Sequence, residues 1–137
     1  MDRLSIELEP RREPGEWTAV RLRVNGADLT DLVAEFERAH GFEPLQSYDS
    51  IDAAWGARGR LEGRPSIWPS DGRSLLLVCG ECGEEGCWPI VARVQRGEDE
   101  VVWAEFSNLQ QPKRDYSSLS FTFDRAEYEA ELQRAFV

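Results

Sequence analysis

The chain has 137 residues, 41% hydrophobic and 31% charged, a length and balance that fit one globular domain over 1–137 and exclude a disordered chain. Lysine and arginine total 16 against 26 aspartates and glutamates, a formal net charge of -10. A field of that sign repels phosphate backbones and anionic lipid heads, so neither nucleic acid nor a membrane surface is an expected partner.

Leu4, Ile6 and Leu8 alternate with Ser5, Glu7 and Glu9, the period of a half-buried strand that Pro10 and Pro14-Gly15 bring to an end. The charges in this stretch make it unlike a signal peptide, and no later run reaches the length of a membrane span. Trp17 to Val24 is expected to form a second strand, with Val20, Leu22 and Val24 on one face and Arg21 and Arg23 on the other. Asn25-Gly26 is a strong hairpin signal and turns the chain into a short return over Ala27–Leu29.

A helix follows, capped by Asp28 or Thr30, with Leu32, Val33 and Phe36 as its apolar stripe. Gly41 stops it, and His40 falls where a helix C-terminus favours positive charge. Residues 43 to 73 hold three prolines and four glycines with no sustained period. A structureless stretch of that length is unusual inside a domain, so either a short helix near Asp49 to Trp55 or a functional loop is expected there, with an unread short element as the better account.

The continuous apolar run Leu75–Cys79 reads as a strand buried on both faces. Gly80 to Gly86 is turn material, and Trp88 to Val94 is the returning strand, with Pro89 at its start, at an edge or in a bulge. Gly97-Glu98-Asp99 turns into a strand over Val101–Phe106, and Leu119, Phe121 and Phe123 alternate in a last strand. Asp124 then caps a helix whose stripe is Tyr128, Leu132 and Phe136, with Glu127 placed as in a capping box. Strands joined by tight turns imply an α+β fold: a mainly antiparallel sheet of about five to six strands with two helices packed on it.

The segment Cys79-Gly80-Glu81-Cys82-Gly83-Glu84-Glu85-Gly86-Cys87 places three thiols around a glycine-rich turn. An odd count suits no secreted disulfide framework, which favours a cytoplasmic protein. One reading is a metal site at Cys79, Cys82 and Cys87, with zinc as the ion, because cysteines on tight turns meet tetrahedral angles. The spacing C-x2-C-x4-C resembles a retroviral-type zinc knuckle, with Cys87 in the histidine position. The knuckle's fourth ligand would fall at Ala92, so completion would need His40, Glu84 or Glu85. A second reading is thiol redox chemistry at the C-x-x-C of Cys79 and Cys82. Such motifs open helices whose N-termini favour the thiolate, whereas here a strand runs into a turn flanked by Glu81, Glu84 and Glu85. The third reading is structural: Cys79 continues an apolar strand and Cys87 begins another, as small buried hydrophobes do. The residues weigh toward the third.

The stretch Cys82–Ile90, the Val102-Trp103 strand, the Gln111-Pro112 turn and the Phe121-Thr122-Phe123-Asp124-Arg125 segment together resemble a family of small uncharacterised bacterial proteins sharing a CGExGCWP-type segment. That resemblance covers roughly the last sixty residues and implies no activity.

Five tryptophans, Trp17, Trp55, Trp68, Trp88 and Trp103, could line a peptide- or sugar-binding groove, but core filling is their commoner use. No nucleophile elbow, phosphate loop or dinucleotide fingerprint occurs, and a Ser-His-Asp arrangement could draw only on His40. The sequence therefore points to a non-enzymatic, acidic protein-binding domain with a basic protein partner, of the immunity-protein kind, with no catalytic or cofactor-binding residue. The alternative is a metal-binding or thiol-active protein.

Overall fold

The computed structural model describes residues 1–13, 15–81 and 87–137. The elements are β1 (Leu4–Arg11), β2 (Trp17–Val24), β3 (Ala27–Asp28), α1 (Leu29–Ala39), β4 (Tyr48–Asp52), a 3-10 turn (Ala53–Trp55) and α2 (Ala57–Leu61). They continue with β5 (Ser74–Cys79), β6 (Ile90–Arg96), β7 (Glu100–Asn108), β8 (Phe121–Asp124) and α3 (Arg125–Ala135). The fold is α+β, with all strand pairs of the main sheet antiparallel in the order β1-β2-β4-β5-β6-β7-β8 and β3 added to β2. Among the described residues, eight strands and three helices exceed the five to six strands and two helices expected, and the additions are short pieces. Among the described residues no helix is long and apolar enough to cross a membrane.

The β1–β2 hairpin forms over its full length, with Leu4 opposite Val24 and Arg11 opposite Trp17. Asn25 and Gly26 both take positive φ, as the tight turn demands. Asp28 does stand at the α1 N-cap, yet its side chain makes no cap bond. Arg21 and Arg23 take its carboxylate instead. The unread region holds β4, the 3-10 turn and α2. Its organiser is Arg60, whose buried guanidinium donates to the carbonyls of Trp55 at 2.9 Å and Trp68 at 2.8 Å. Scattered carbonyls on irregular backbone leave no periodic signature, which is why composition alone read as loop.

β5 is buried at every residue, matching its unbroken apolar run. It pairs antiparallel with β6, as a hairpin around the cysteine turn requires, with a register shift between Leu75 and Leu77. β6 begins at Ile90 rather than Trp88, because Trp88 takes a φ of 51° and bends the chain ahead of Pro89. Leu119 lies before β8 rather than in it, but is buried. Asp124 caps α3 as expected, accepting the Glu127 N–H at 3.0 Å.

The sheet curls until its two edges meet. Asp2 bridges Phe123, its N–H donating to Thr122 O at 2.8 Å while its carboxylate accepts the Thr122 N–H at 2.8 Å. α3 lies across this seam, against β1, β7 and β8. Trp103, Phe123 and Tyr128 pack there edge to face or tilted. The Tyr128 hydroxyl accepts from Trp103 Nε1 at 3.0 Å and donates to Leu61 O at 2.6 Å, joining α3 to α2.

Candidate functional site

α1 carries a carboxylate in its buried stripe. Glu37 follows Val33 by one helical turn, so it shares that residue's inward face, and it is 0% exposed. Three donors converge on its Oε2: the hydroxyl of Tyr48 from β4 at 2.6 Å, the hydroxyl of Tyr116 at 2.5 Å, and Nη1 of Arg114 at 3.3 Å. Asn108, at the end of β7, donates to the Tyr48 oxygen at 3.1 Å. Oε1 of the same carboxylate is buried and has no hydrogen-bond partner among the described residues.

Arg114 and Tyr116 come from the segment between β7 and β8, which crosses back over the end of α1. The Arg114 side chain is 6% exposed. Its guanidinium sits 5.3 Å from the Phe42 ring and 5.2 Å from the Trp88 ring, and Nη2 donates to Pro44 O at 2.6 Å. Tyr116 stacks on Phe36, which also stacks on the His40 ring at 4.0 Å and meets Phe42 edge to face. Burial pushes the hydroxyls of Tyr48 and Tyr116 well above the ordinary phenol range, and the Glu37 carboxylate adds to the effect. Both therefore stay donors at any physiological pH.

A second charged feature covers the β1–β2 hairpin. Glu7, Arg23, Asp28, Arg21, Glu9, Arg11 and Asp49 form an unbroken ladder of ion pairs, with closest separations of 2.7–3.2 Å. The ladder lines a cleft of about 250 Å³ where β2 and β4, paired only at Ala19–Asp52 and Val20–Ile51, diverge. Arg11 holds the Glu9 carboxyl below its usual range, and Arg21 does the same for Asp28.

The cysteine turn lies partly within the described residues. Cys79 ends β5, buried, and its sulfur accepts from Gln46 Nε2 at 2.8 Å. Its N–H donates to Cys87 O at 3.1 Å, so Cys79 and Cys87 face each other at the base of the turn. Cys82, the third candidate ligand, lies outside the described residues with Gly83–Gly86. Among the described residues no group of three or more His, Cys, Asp and Glu could hold a metal ion. His40, named as a completing ligand, instead stacks on Phe36 and shares a 2.8 Å hydrogen bond between Nδ1 and Phe36 O.

Of the tryptophans, Trp103 is fully buried, while Trp55, Trp68 and Trp88 are partly buried against the core. Trp17 holds Glu13 O through Nε1 and lies under Arg11. The sequence alone assigned none of Glu37, Tyr48, Arg114 and Tyr116 to a site, although Lys113-Arg114 stood out in it as a local basic point. One signal was present: an acidic residue at a stripe position of α1 needs a buried partner, and Lys113-Arg114 is an isolated basic pair. No family model, curated protein or solved structure matches this chain.

Proposed function

We propose that this chain is a non-enzymatic protein-binding domain of the bacterial cytoplasm that docks a basic protein partner, in the manner of an immunity protein. The observation that carries this reading is where the arginines are spent. Arg11, Arg21 and Arg23 are held in the ladder, Arg114 is buried on Glu37, and Arg93, Arg96, Arg125 and Arg134 pair with glutamates. Exposed carboxylates outside these pairs include Asp31 and Glu35 on α1 and Glu98, Asp99 and Glu100 around the β6–β7 turn. The excess of acid is thus presented outward, where it speeds encounter with a positive surface and selects against acidic ones.

The test is affinity capture from a bacterial lysate with the parent chain and with two charge-reversed variants, Asp31→Lys/Glu35→Lys and Glu98→Lys/Glu100→Lys. A basic protein retained by the parent, released as salt rises, and lost from one variant supports the reading. Capture that neither variant alters overturns it.

The alternative, a zinc-binding or thiol-active protein, draws on one observation: the hydrogen bond between Cys79 and Cys87 sets two of the three cysteines across one turn. Zinc near one equivalent per purified chain, with melting that shifts on chelation, would favour it.

A further inference from the structure

We propose that Glu37, Phe42, Trp88 and the Pro44 carbonyl form a guanidinium-binding cage, filled in cis by Arg114, whose place an arginine of the basic partner takes when Arg114 is displaced. The partner half rests on the protein-binding reading above; the cage itself does not.

The parts of the site come from chain segments other than the one that fills it. Glu37 belongs to α1, Phe42 and Pro44 follow that helix, and Trp88 leads into β6. Arg114 enters from the segment after β7, placing its guanidinium between two ring faces at 5.3 and 5.2 Å. A carboxylate, a carbonyl and two aromatic faces are the complement of a flat, delocalised cation with several fixed donors. An ammonium would satisfy the charge but not the fork.

The resident arginine fits this site incompletely. It reaches only one carboxylate oxygen, at 3.3 Å, whereas guanidinium–carboxylate pairs close at about 2.7–2.9 Å and often engage both oxygens. Oε1 is left buried with no partner among the described residues. The carboxylate cannot turn to improve the match, because Tyr48 and Tyr116 both donate to Oε2 and fix it. A guanidinium not tethered to the segment between β7 and β8 could engage both oxygens. Replacement requires Arg114 to leave, since its side chain is 6% exposed and that of Glu37 is 0% exposed, and the imperfect fit lowers what its departure costs.

The test removes the occupant and supplies the group from solution. Arg114→Ala is melted in methylguanidinium and, at matched ionic strength, in methylammonium, with tryptophan fluorescence as a second readout of Trp88. The expected result is a rise in Tm that grows with the logarithm of methylguanidinium concentration and is absent with methylammonium. The rise should vanish in Arg114→Ala/Glu37→Gln. Equal responses to the two cations, or a response indifferent to Glu37, overturn the cage. Should Arg114→Ala not fold alone, refolding yield in the two cations gives the same discrimination. For the partner half, hexa-arginine and hexa-lysine peptides are titrated onto the parent and Arg114→Ala. Several-fold tighter binding of the arginine peptide to the variant, with the lysine peptide unchanged, supports exchange. Binding of both peptides that ignores Arg114 overturns exchange and leaves the acidic-surface reading standing.

Discussion

Glu131 and Ile6 are 125 positions apart, and the Glu131 carboxylate accepts the Ile6 N–H at 2.7 Å. Arg134, one helical turn on, donates to the Ile6 carbonyl at 2.6 Å and pairs with Glu131. Two side chains of α3 thus take the place of a strand beside β1, presenting one acceptor and one donor to an edge that would otherwise invite another chain.

Glu131→Ala should cost about 2 kcal/mol, because the nearly buried Ile6 N–H loses its partner. Glu131→Gln keeps an acceptor and should cost less. The Arg134 guanidinium, aided by the Ile6 N–H, holds the Glu131 carboxyl below its ordinary range. A depressed carboxyl contributes stability that is present above about pH 4.5 and lost as pH falls through its folded value. Urea midpoints measured down through pH 4 should therefore fall less steeply in the glutamine variant; identical slopes would remove Glu131 from the account.

Alkaline stability should depend on the tyrosines. Burial pushes Tyr48, Tyr116 and Tyr128 above their ordinary value near 10. The neutral hydroxyl is the form the fold favours, so its contribution is complete below about pH 10 and drains away as pH rises beyond it. Each such proton adds up to about 1.4 kcal/mol per pH unit to the slope. Tyr48→Phe and Tyr116→Phe should each lower stability at neutral pH and flatten that alkaline slope, as read by urea unfolding at stepped pH.

Gly63 takes a φ of +75°, and a Cβ there would stand 2.5 Å from Val94 O. The clash is with backbone of β6, which cannot swing aside. Gly63→Ala should therefore cost more than the roughly 1 kcal/mol of a strained conformation alone. A thermal melt within a degree of the parent would show that α2 moves freely against the sheet.

Phe123 is 1% exposed and touches Trp103 and Tyr128, whereas Phe121 on the same strand is only partly buried. Phe123→Ala should cost about 3–5 kcal/mol and Phe121→Ala less. The alternation of Leu119, Phe121 and Phe123 made the core face legible, together with the Asp124 cap and the stripe of α3. The hairpins were equally plain, since Asn25-Gly26 and the apolar run of β5 signal themselves locally. Residues 43 to 73 were opaque for a different reason: Arg60 holds them by carbonyls that no side-chain pattern reports. The Glu37 cluster was hidden in another way, because its members are scattered from position 37 to 116 and each is ordinary until the sheet curls them together.

Chelation should leave the melting of the parent unchanged, and Cys87→Ser should shift it by no more than a small core substitution does. A chelator-dependent loss of Tm in the parent, absent from Cys87→Ser, would bring the metal reading forward.

The seam between Asp2 and Thr122 has a consequence for synthesis. Within this fold β1 and β2 are made before the other elements and can zip at once, yet the groups that finish the outer side of β1 and its lead-in Asp2 are Thr122, Glu131 and Arg134. Synthesis must reach α3 before that hairpin is sealed. Until then the nascent domain carries a bare strand edge, and the charges of Glu7, Glu9 and Arg11 along that strand discourage it from pairing with a neighbour in the meantime.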